Sequence, residues 1–392
     1  MFSTSFQTWR EAKGMEKDVS QAFEAFFAGL KDPRIKRKKL YPLVEILFVT
    51  LCGTICGAES WRDFVLFGKE KLDFFRKYFP FTHGIPSKNT FARLFYVLDP
   101  EAFKTCFIEW VKSLQTALND VIAIDGKTLC NSFNTTDNIP AIHMVSAFAT
   151  SARLVLAQQK VDDKSNEITA IPLLLDLLNL KGSTITIDAM GCQTAIAEKI
   201  QEKEADYVLA LKGNQGTLNE DVRLFLETEL AKKSSTRIED KYEEVDAGHG
   251  RIETRKCIVS SQIDWLEQKP NWAGLKTIAM IEETREIGDK ISVERRFFIS
   301  SLSPDAKKIA LTVRAHWLVE NSLHWTLDVV FNEDNSRVRK QNAGQNMALI
   351  RHTVLNMLQN AKKCFKDIGI KALRKKAGWG NSTLELILGQ NF

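Results

Sequence analysis

The period of hydrophobic positions changes several times along this chain. Up to about residue 115, Leu, Phe, Ile and Val recur at spacings of three and four with little alternation, which predicts helices. Two breaks interrupt that region. One is Lys31-Asp32-Pro33; the other is Gly84-Ile85-Pro86, followed by Ser87 as N-cap of a helix over 89–98. The longest apolar run, 44–58, contains Glu45 and is too short to span a bilayer, so it reads as a buried helix. From 121 the pattern turns strand-like. Residues 121–125, 143–150 and 153–161 read as strands, the last two as a hairpin turning at Ser151-Ala152. A helix over 167–178, a strand over 183–188, a helix over 192–205, a strand over 206–211 and a helix over 217–232 follow. That order predicts an α/β fold with a mixed sheet and helices on both faces. Residues 235–303 are β-rich again, with turns at Ala247-Gly248-His249-Gly250 and Gly288-Asp289. A long helix is expected over 307–331, then a helical, basic tail over 340–392.

With 392 residues, 44% of them hydrophobic, the chain can bury two or three cores. The texture suggests divisions at 1–115, 116–234, 235–305 and 306–392. A net charge of +5 says little by itself, but the basic residues cluster. Lys31, Arg34, Lys36, Arg37, Lys38 and Lys39 stand against one acid, Asp32. Lys362, Lys363, Lys366, Lys371, Arg374, Lys375 and Lys376 form a second group. Either could bind a DNA backbone in a salt-sensitive way, or be a solvated face. Lys88, Asn89, Thr90 and Arg93 make the helix after Ser87 a candidate for groove reading. The seven cysteines are scattered without a C-x-x-C pair, which points to reduced, mostly buried thiols in a cytoplasmic protein. The first twenty residues carry charges and no apolar signal core, so no membrane partner is expected.

Two acids end predicted strands in the same way: Asp125 in Ile122-Ala123-Ile124-Asp125-Gly126-Lys127, and Asp188 in Ile185-Thr186-Ile187-Asp188-Ala189-Met190-Gly191. Functional groups collect at strand ends in open sheets, although an aspartate there is often only a turn former. If the two strands are parallel neighbours, both carboxylates enter one site and repel unless a cation neutralises them. Magnesium suits one or two carboxylates plus phosphate oxygens. On the long helix, His316, Glu320, His324 and Asp328 form a polar stripe beside Leu323, Leu327 and Phe331. The stripe could be the edge of an amphipathic helix. It could also be a zinc site on His316, Glu320 and His324, but the spacing is not His-Glu-x-x-His and no external ligand is evident. Lys127 and Lys212, close to strand ends, are candidate phosphate contacts; Arg251 and Arg255 are weaker ones.

The chain resembles the DDE-type insertion-sequence transposases of the H-repeat-associated group. The residues that carry the resemblance are Ala123-Ile124-Asp125-Gly126-Lys127-Thr128, Thr186-Ile187-Asp188-Ala189-Met190-Gly191-Cys192-Gln193, Asp206 to Gln215, His249 to Arg255, and the segment around Glu320. Asp32-Pro33-Arg34, Tyr41-Pro42-Leu43 and Gly84-Ile85-Pro86-Ser87 resemble that group's N-terminal domain. The resemblance implies a ribonuclease-H-like mixed sheet flanked by helices, with a mainly β insertion and a helical N-terminal domain that binds DNA. It implies Asp125, Asp188 and Glu320 as catalytic metal ligands for Mg2+, with Mn2+ an alternative. The implied partners are double-stranded DNA, as terminal inverted repeats and target, and a second copy on that DNA. The implied setting is the bacterial cytoplasm, at the nucleoid when DNA-bound. Related transposases carry Tyr, Arg and Lys where this chain has Val313, His316 and Leu327. His316 and Arg314 could replace part of that phosphate contact, whereas Leu327 cannot. A catalytically silent DNA-binding descendant is the alternative reading.

Overall fold

Strand pairing in the middle of the chain explains most of the architecture. In this computed structural model the described residues are 19–35, 39–114, 119–133, 140–162, 166–232, 234–248 and 250–392. They fall into two compact units: Gln115–Thr128 with His143–Trp325, and Met1–Leu114 with Leu129–Ile142 and Thr326–Phe392.

The first of these units is built on one sheet. Its strands are β1 (Val121–Thr128), β2 (His143–Ala149), β3 (Leu154–Lys160), β4 (Thr184–Ile187), β5 (Asp206–Leu211), β6 (Asp240–Gly248), β7 (Arg251–Ser260), β8 (Thr277–Ile287) and β9 (Lys290–Ser300). The sheet order is β3-β2-β1-β4-β5-β9-β8-β7-β6. β1, β2 and β3 pair antiparallel, and β1, β4 and β5 pair parallel. This order and these directions make the core ribonuclease-H-like. Ile122 to Ile124 and all of β4 are buried, as central parallel strands covered on both faces require. The β-rich stretch is not a separate sheet. β9 pairs antiparallel with β5 through Val208–Ser300 to Leu211–Phe297, so the meander β6 to β9 extends the core sheet. Nothing local in the sequence encodes that pairing.

The helix Glu167–Asp176 packs on β2 and β3, while Ala306–Leu318 lies along β1 and β4. Successive residues of β1 point to opposite faces, and the two helices cover opposite faces accordingly. The expected helix over 307–331 is not uniform. It is α-helical over Ala306–Leu318, π-helical over Val319–His324 and α-helical over Trp325–Val329. π turns are rare and concentrate at functional sites.

The second unit is helical. Leu43–Ile55 is buried almost throughout, as its unbroken apolar run predicts. Glu45 survives inside because its Oε1 accepts the Phe81 N–H at 2.8 Å; burial still pushes its carboxyl up. Ser60 and Asp63 form a reciprocal capping box at the start of Trp61–Glu70. Ser87 does occupy the N-cap of Lys88–Val97 but makes no cap bond; its Oγ lies 3.2 Å from Thr90 Oγ1 instead. The tail is not a uniformly basic surface either, since Ala343–Ala361 is a buried core helix. All seven cysteines are free, and Cys52, Cys106, Cys192 and Cys257 are buried. Among the described residues, no helix is long and apolar enough to cross a membrane.

Two basic residues expected to face DNA turn inward. Arg34 is only 8% exposed, clamped to Asp32 through Nε–Oδ1 at 2.9 Å and Nη2–Oδ2 at 2.8 Å, and bonded to the Tyr41 carbonyl at 2.7 Å. Arg374 donates to the carbonyls of Val330 and Thr54 and lies 4.1 Å from the Phe331 ring centroid. A guanidinium committed to such partners has a structural role within this unit. Lys39 stays half-exposed, with Nζ 3.1 Å from the Asp32 carbonyl. Lys36, Arg37 and Lys38 lie outside the described residues. Arg34→Ala should cost about 1–3 kcal/mol by thermal or denaturant unfolding, and leave the salt dependence of DNA binding unchanged. A reduced salt slope with full stability would reinstate Arg34 as a phosphate contact.

Candidate active site

The last pair in the β1–β4 register is Ile124–Ile187, so Asp125 and Asp188 take equivalent positions on neighbouring parallel strands; Asp188 lies just past β4, whereas β1 runs beyond the expected end and pairs Asp125 with Ser146 of β2. The Asp188 carboxylate accepts the N–H of Met190 at 3.0 Å and of Gly191 at 3.5 Å, which fixes its direction. The turn needs Gly191: a Cβ there would lie 2.2 Å from Ile187 Cγ2. From the opposing helix, the π turn presents Glu320 and His324. His324 Nδ1 lies 3.3 Å from Glu320 Oε2 and 3.6 Å from Asp125 Oδ2.

The electrostatics are strained in a definite direction. The Asp125 side chain is 16% exposed, that of His324 8%, and that of Glu320 52%. Burial first, and then the Glu320 carboxylate within hydrogen-bonding reach, push the Asp125 carboxyl up to about 8; Glu167 adds to the effect. His316 is held below the ordinary histidine value by burial, against the opposing pull of Asp188 and Glu320. Its Nδ1 lies 3.0 Å from Thr186 Oγ1.

Asp125, Asp188, His316 and Glu320 line one cavity of about 680 Å³, together with Lys212 and Trp317. The geometry therefore collects the three acids and two of the candidate phosphate contacts. Lys127 is not among the lining residues. Arg314 lines a neighbouring cavity and pairs with Asp246 at 3.0 Å. That pair is exposed enough to be weak, so a phosphate can compete for Arg314. Arg251, Arg255 and Arg285 all pair with the buried Glu253, so one carboxylate offsets only part of their charge.

One member of Asp125, one of Glu320 and one ring nitrogen of His324 lie within 4.8 Å of one another. Two carboxylates and an imidazole so close, with one carboxyl forced to hold its proton, fit a divalent cation. Asp188 lines the same cavity outside that tight group. His324 was a candidate ligand in the sequence only within the zinc alternative. Its spacing from Glu320 was visible, but its approach to Asp125 depends on which strand the helix crosses. The zinc alternative lacked an external ligand; Asp125 now provides one, while His316 is turned to Thr186.

The family described as "Transposase DDE domain" matches residues 116–357, and "DDE_Tnp_1-associated" matches 24–111. This chain belongs to the DDE-type insertion-sequence transposases of the H-repeat-associated group. It is 42% identical to "Putative transposase YncI" of Escherichia coli O157:H7 over 94% of each chain. It is also 42% identical to "H repeat-associated putative transposase YhhI" of Escherichia coli K12, over 92% of this chain and 95% of that protein. "Inactive transposase YbfQ" of the same strain is 43% identical over 63 residues, 16% of this chain and 75% of that protein. The piggyBac transposase synaptic complex with hairpin DNA, solved by cryo-EM, overlaps at a TM-score of 0.46 and 12% identity, over 95% of this chain and 81% of that one. An overlap that loose carries no argument.

The raised Asp125 pKa makes a stability prediction for this DDE-family chain. The folded value lies above the unfolded one of about 3.9, so the folded state holds the extra proton. The associated stability is complete below about pH 4 and is lost as pH rises through about 8. In EDTA, wild-type Tm should fall more steeply than that of Asp125→Asn between about pH 4 and about pH 8. Parallel Tm profiles would show that Asp125 is not under this strain.

Proposed function

We propose that the chain is a DNA transposase that cuts at transposon ends and joins the freed ends to target DNA. The carrying observation is the convergence of Asp125 and Asp188, at matched positions on parallel strands, with Glu320 from the opposing helix around one cavity.

Divalent cations, Mg2+ or Mn2+, would be held by Asp125, Asp188 and Glu320, with His324 beside them, and would stabilise the attacking and leaving oxygens. An imidazole nitrogen among carboxylates suits Mn2+ at least as well as Mg2+. Asp125, whose carboxyl is raised by burial and by Glu320, would bind such a cation as the carboxylate. Asp188 is already aimed by the Met190 and Gly191 N–H groups. The Glu320 side chain is half-exposed on a π turn whose Val319, Leu323 and His324 are buried. Lys212 and the neutral His316 face the same cavity, where they can hold phosphate oxygens. Water attacks phosphorus, the P–O3′ bond breaks, and the proton passes to solvent or to a carboxylate. The new 3′-hydroxyl then attacks a target phosphodiester, forming one P–O3′ bond as another breaks.

We also assign DNA binding to the helical region 1–115, with Lys39, Lys36, Arg37 and Lys38 as backbone contacts, and Lys127 and Arg314 as further contacts near the site. Joining two ends calls for two copies on DNA, in the bacterial cytoplasm at the nucleoid. Retention of all three acids around one cavity favours catalysis over a silent descendant.

The test uses a labelled duplex carrying the element's own ends, with Mg2+, Mn2+ or EDTA. Nicking should require metal and fall by about a thousandfold or more, roughly 4 kcal/mol of barrier, in Asp125→Asn, Asp188→Asn and Glu320→Gln. DNA affinity in those variants should stay near wild type. Binding without nicking under every metal condition would support the silent reading.

A further inference from the structure

Behind Asp125, on the other face of the sheet, a second carboxylate is packed against the same strand. Glu167 opens the helix Glu167–Asp176, and its Oε1 lies 2.7 Å from His143 Nε2. His143 Nδ1 lies 2.8 Å from Thr128 Oγ1, so both ring nitrogens have partners. His143 and Thr128 are directly paired across β1 and β2, which fixes the imidazole over β1. The group stands where residue 126 would carry a side chain. A Cβ on Gly126 would lie 2.1 Å from Glu167 Oε1 and 2.7 Å from His143 Nε2. Glycine is therefore required immediately after Asp125 so that a carboxylate can reach the backbone there. The Glu167 side chain is largely buried, and its charge acts through protein rather than through water.

We propose that Glu167, held by His143, is a positioning residue of the metal site: a fourth negative charge, seated behind Asp125 in the gap left by Gly126, that strengthens cation binding at the cavity without lining it. This rests on reading Asp125, Asp188 and Glu320 as metal ligands. A carboxylate that does not touch the cation still raises its affinity through the field it adds, and outer partners of metal ligands are commonly worth about 10–100-fold in affinity. The arrangement also explains why β1 runs on past Asp125 to Thr128: the extra residues carry the hydroxyl that orients His143.

The experiment is Mn2+ binding to the full chain without DNA, read from the free-ion electron paramagnetic resonance signal. Circular dichroism and Tm are recorded beside it. Glu167→Gln keeps the shape and an oxygen for His143 but deletes the charge; it should weaken Mn2+ binding about tenfold at unchanged Tm. Glu167→Asp keeps the charge and should bind more tightly than Glu167→Gln. Should the Gln variant not fold, Glu167→Ala deletes the same charge and serves in its place. Wild-type affinity in the charge-deleted variant, or equal weakening in the Gln and Asp variants, overturns the proposal. Asp125→Asn separates the two readings. If it leaves Mn2+ binding intact, the metal site itself is wrong; if it abolishes binding while Glu167→Gln does not, only the role of Glu167 is wrong.

Discussion

The structure depends on one unfavourable contact that the fold enforces. Parallel pairing of β1 with β4 sends Asp125 and Asp188 out of the sheet side by side, and the crossing helix brings Glu320 against Asp125. Like charges in a partly buried cavity cost free energy unless a proton or a cation intervenes. The strands cannot relax apart, because Ile122, Ile124, Ile185 and Ile187 are locked into the buried centre of the sheet. Stability is thus given up at the point where a divalent ion can restore it, as expected of a site organised for its ligand.

The surroundings divide the work. Asp188 is oriented by backbone N–H groups and His316 by Thr186, so these parts of the cavity are preset. Glu320 and His324 ride on a π turn, where an extra residue per turn re-aims side chains without breaking the helix. The insertion strands contribute Arg295 and Arg296 to the cavity wall, yet both are paired with acids: Arg295 with Glu282, Arg296 with Glu283 and Glu294. Lys212, directly after β5, lies in the same wall within electrostatic reach of Glu294.

Much of this was legible in the sequence. The short runs Ile122-Ala123-Ile124 and Ile185-Thr186-Ile187 before Asp125 and Asp188 marked strands because β-branched residues so closely spaced suit a buried strand, and β5 matches its predicted bounds. The resemblance pointed to Glu320, which does line the cavity with the two aspartates. Other features were hidden for physical reasons. The β9–β5 pairing joins segments far apart in the chain, which no local pattern can encode. The π turn leaves no mark on an i, i+4 stripe. Arg34 and Arg374 look like any other members of basic runs; only Asp32, two residues before Arg34, hinted at an internal partner. Glu167 and His143 lie on separate elements, and the glycine that lets them meet beside Asp125 reads in the sequence as an ordinary strand-end residue.

The central claim is that Asp125, Asp188 and Glu320 hold the divalent ion. Anomalous diffraction at the manganese edge, from crystals grown with Mn2+, tests it most directly. The account predicts a Mn2+ peak about 2.1–2.3 Å from carboxylate oxygens of Asp125 and Asp188 or Glu320. Saturating Mn2+ bound elsewhere, with no peak at Asp125, Asp188 and Glu320, would contradict it.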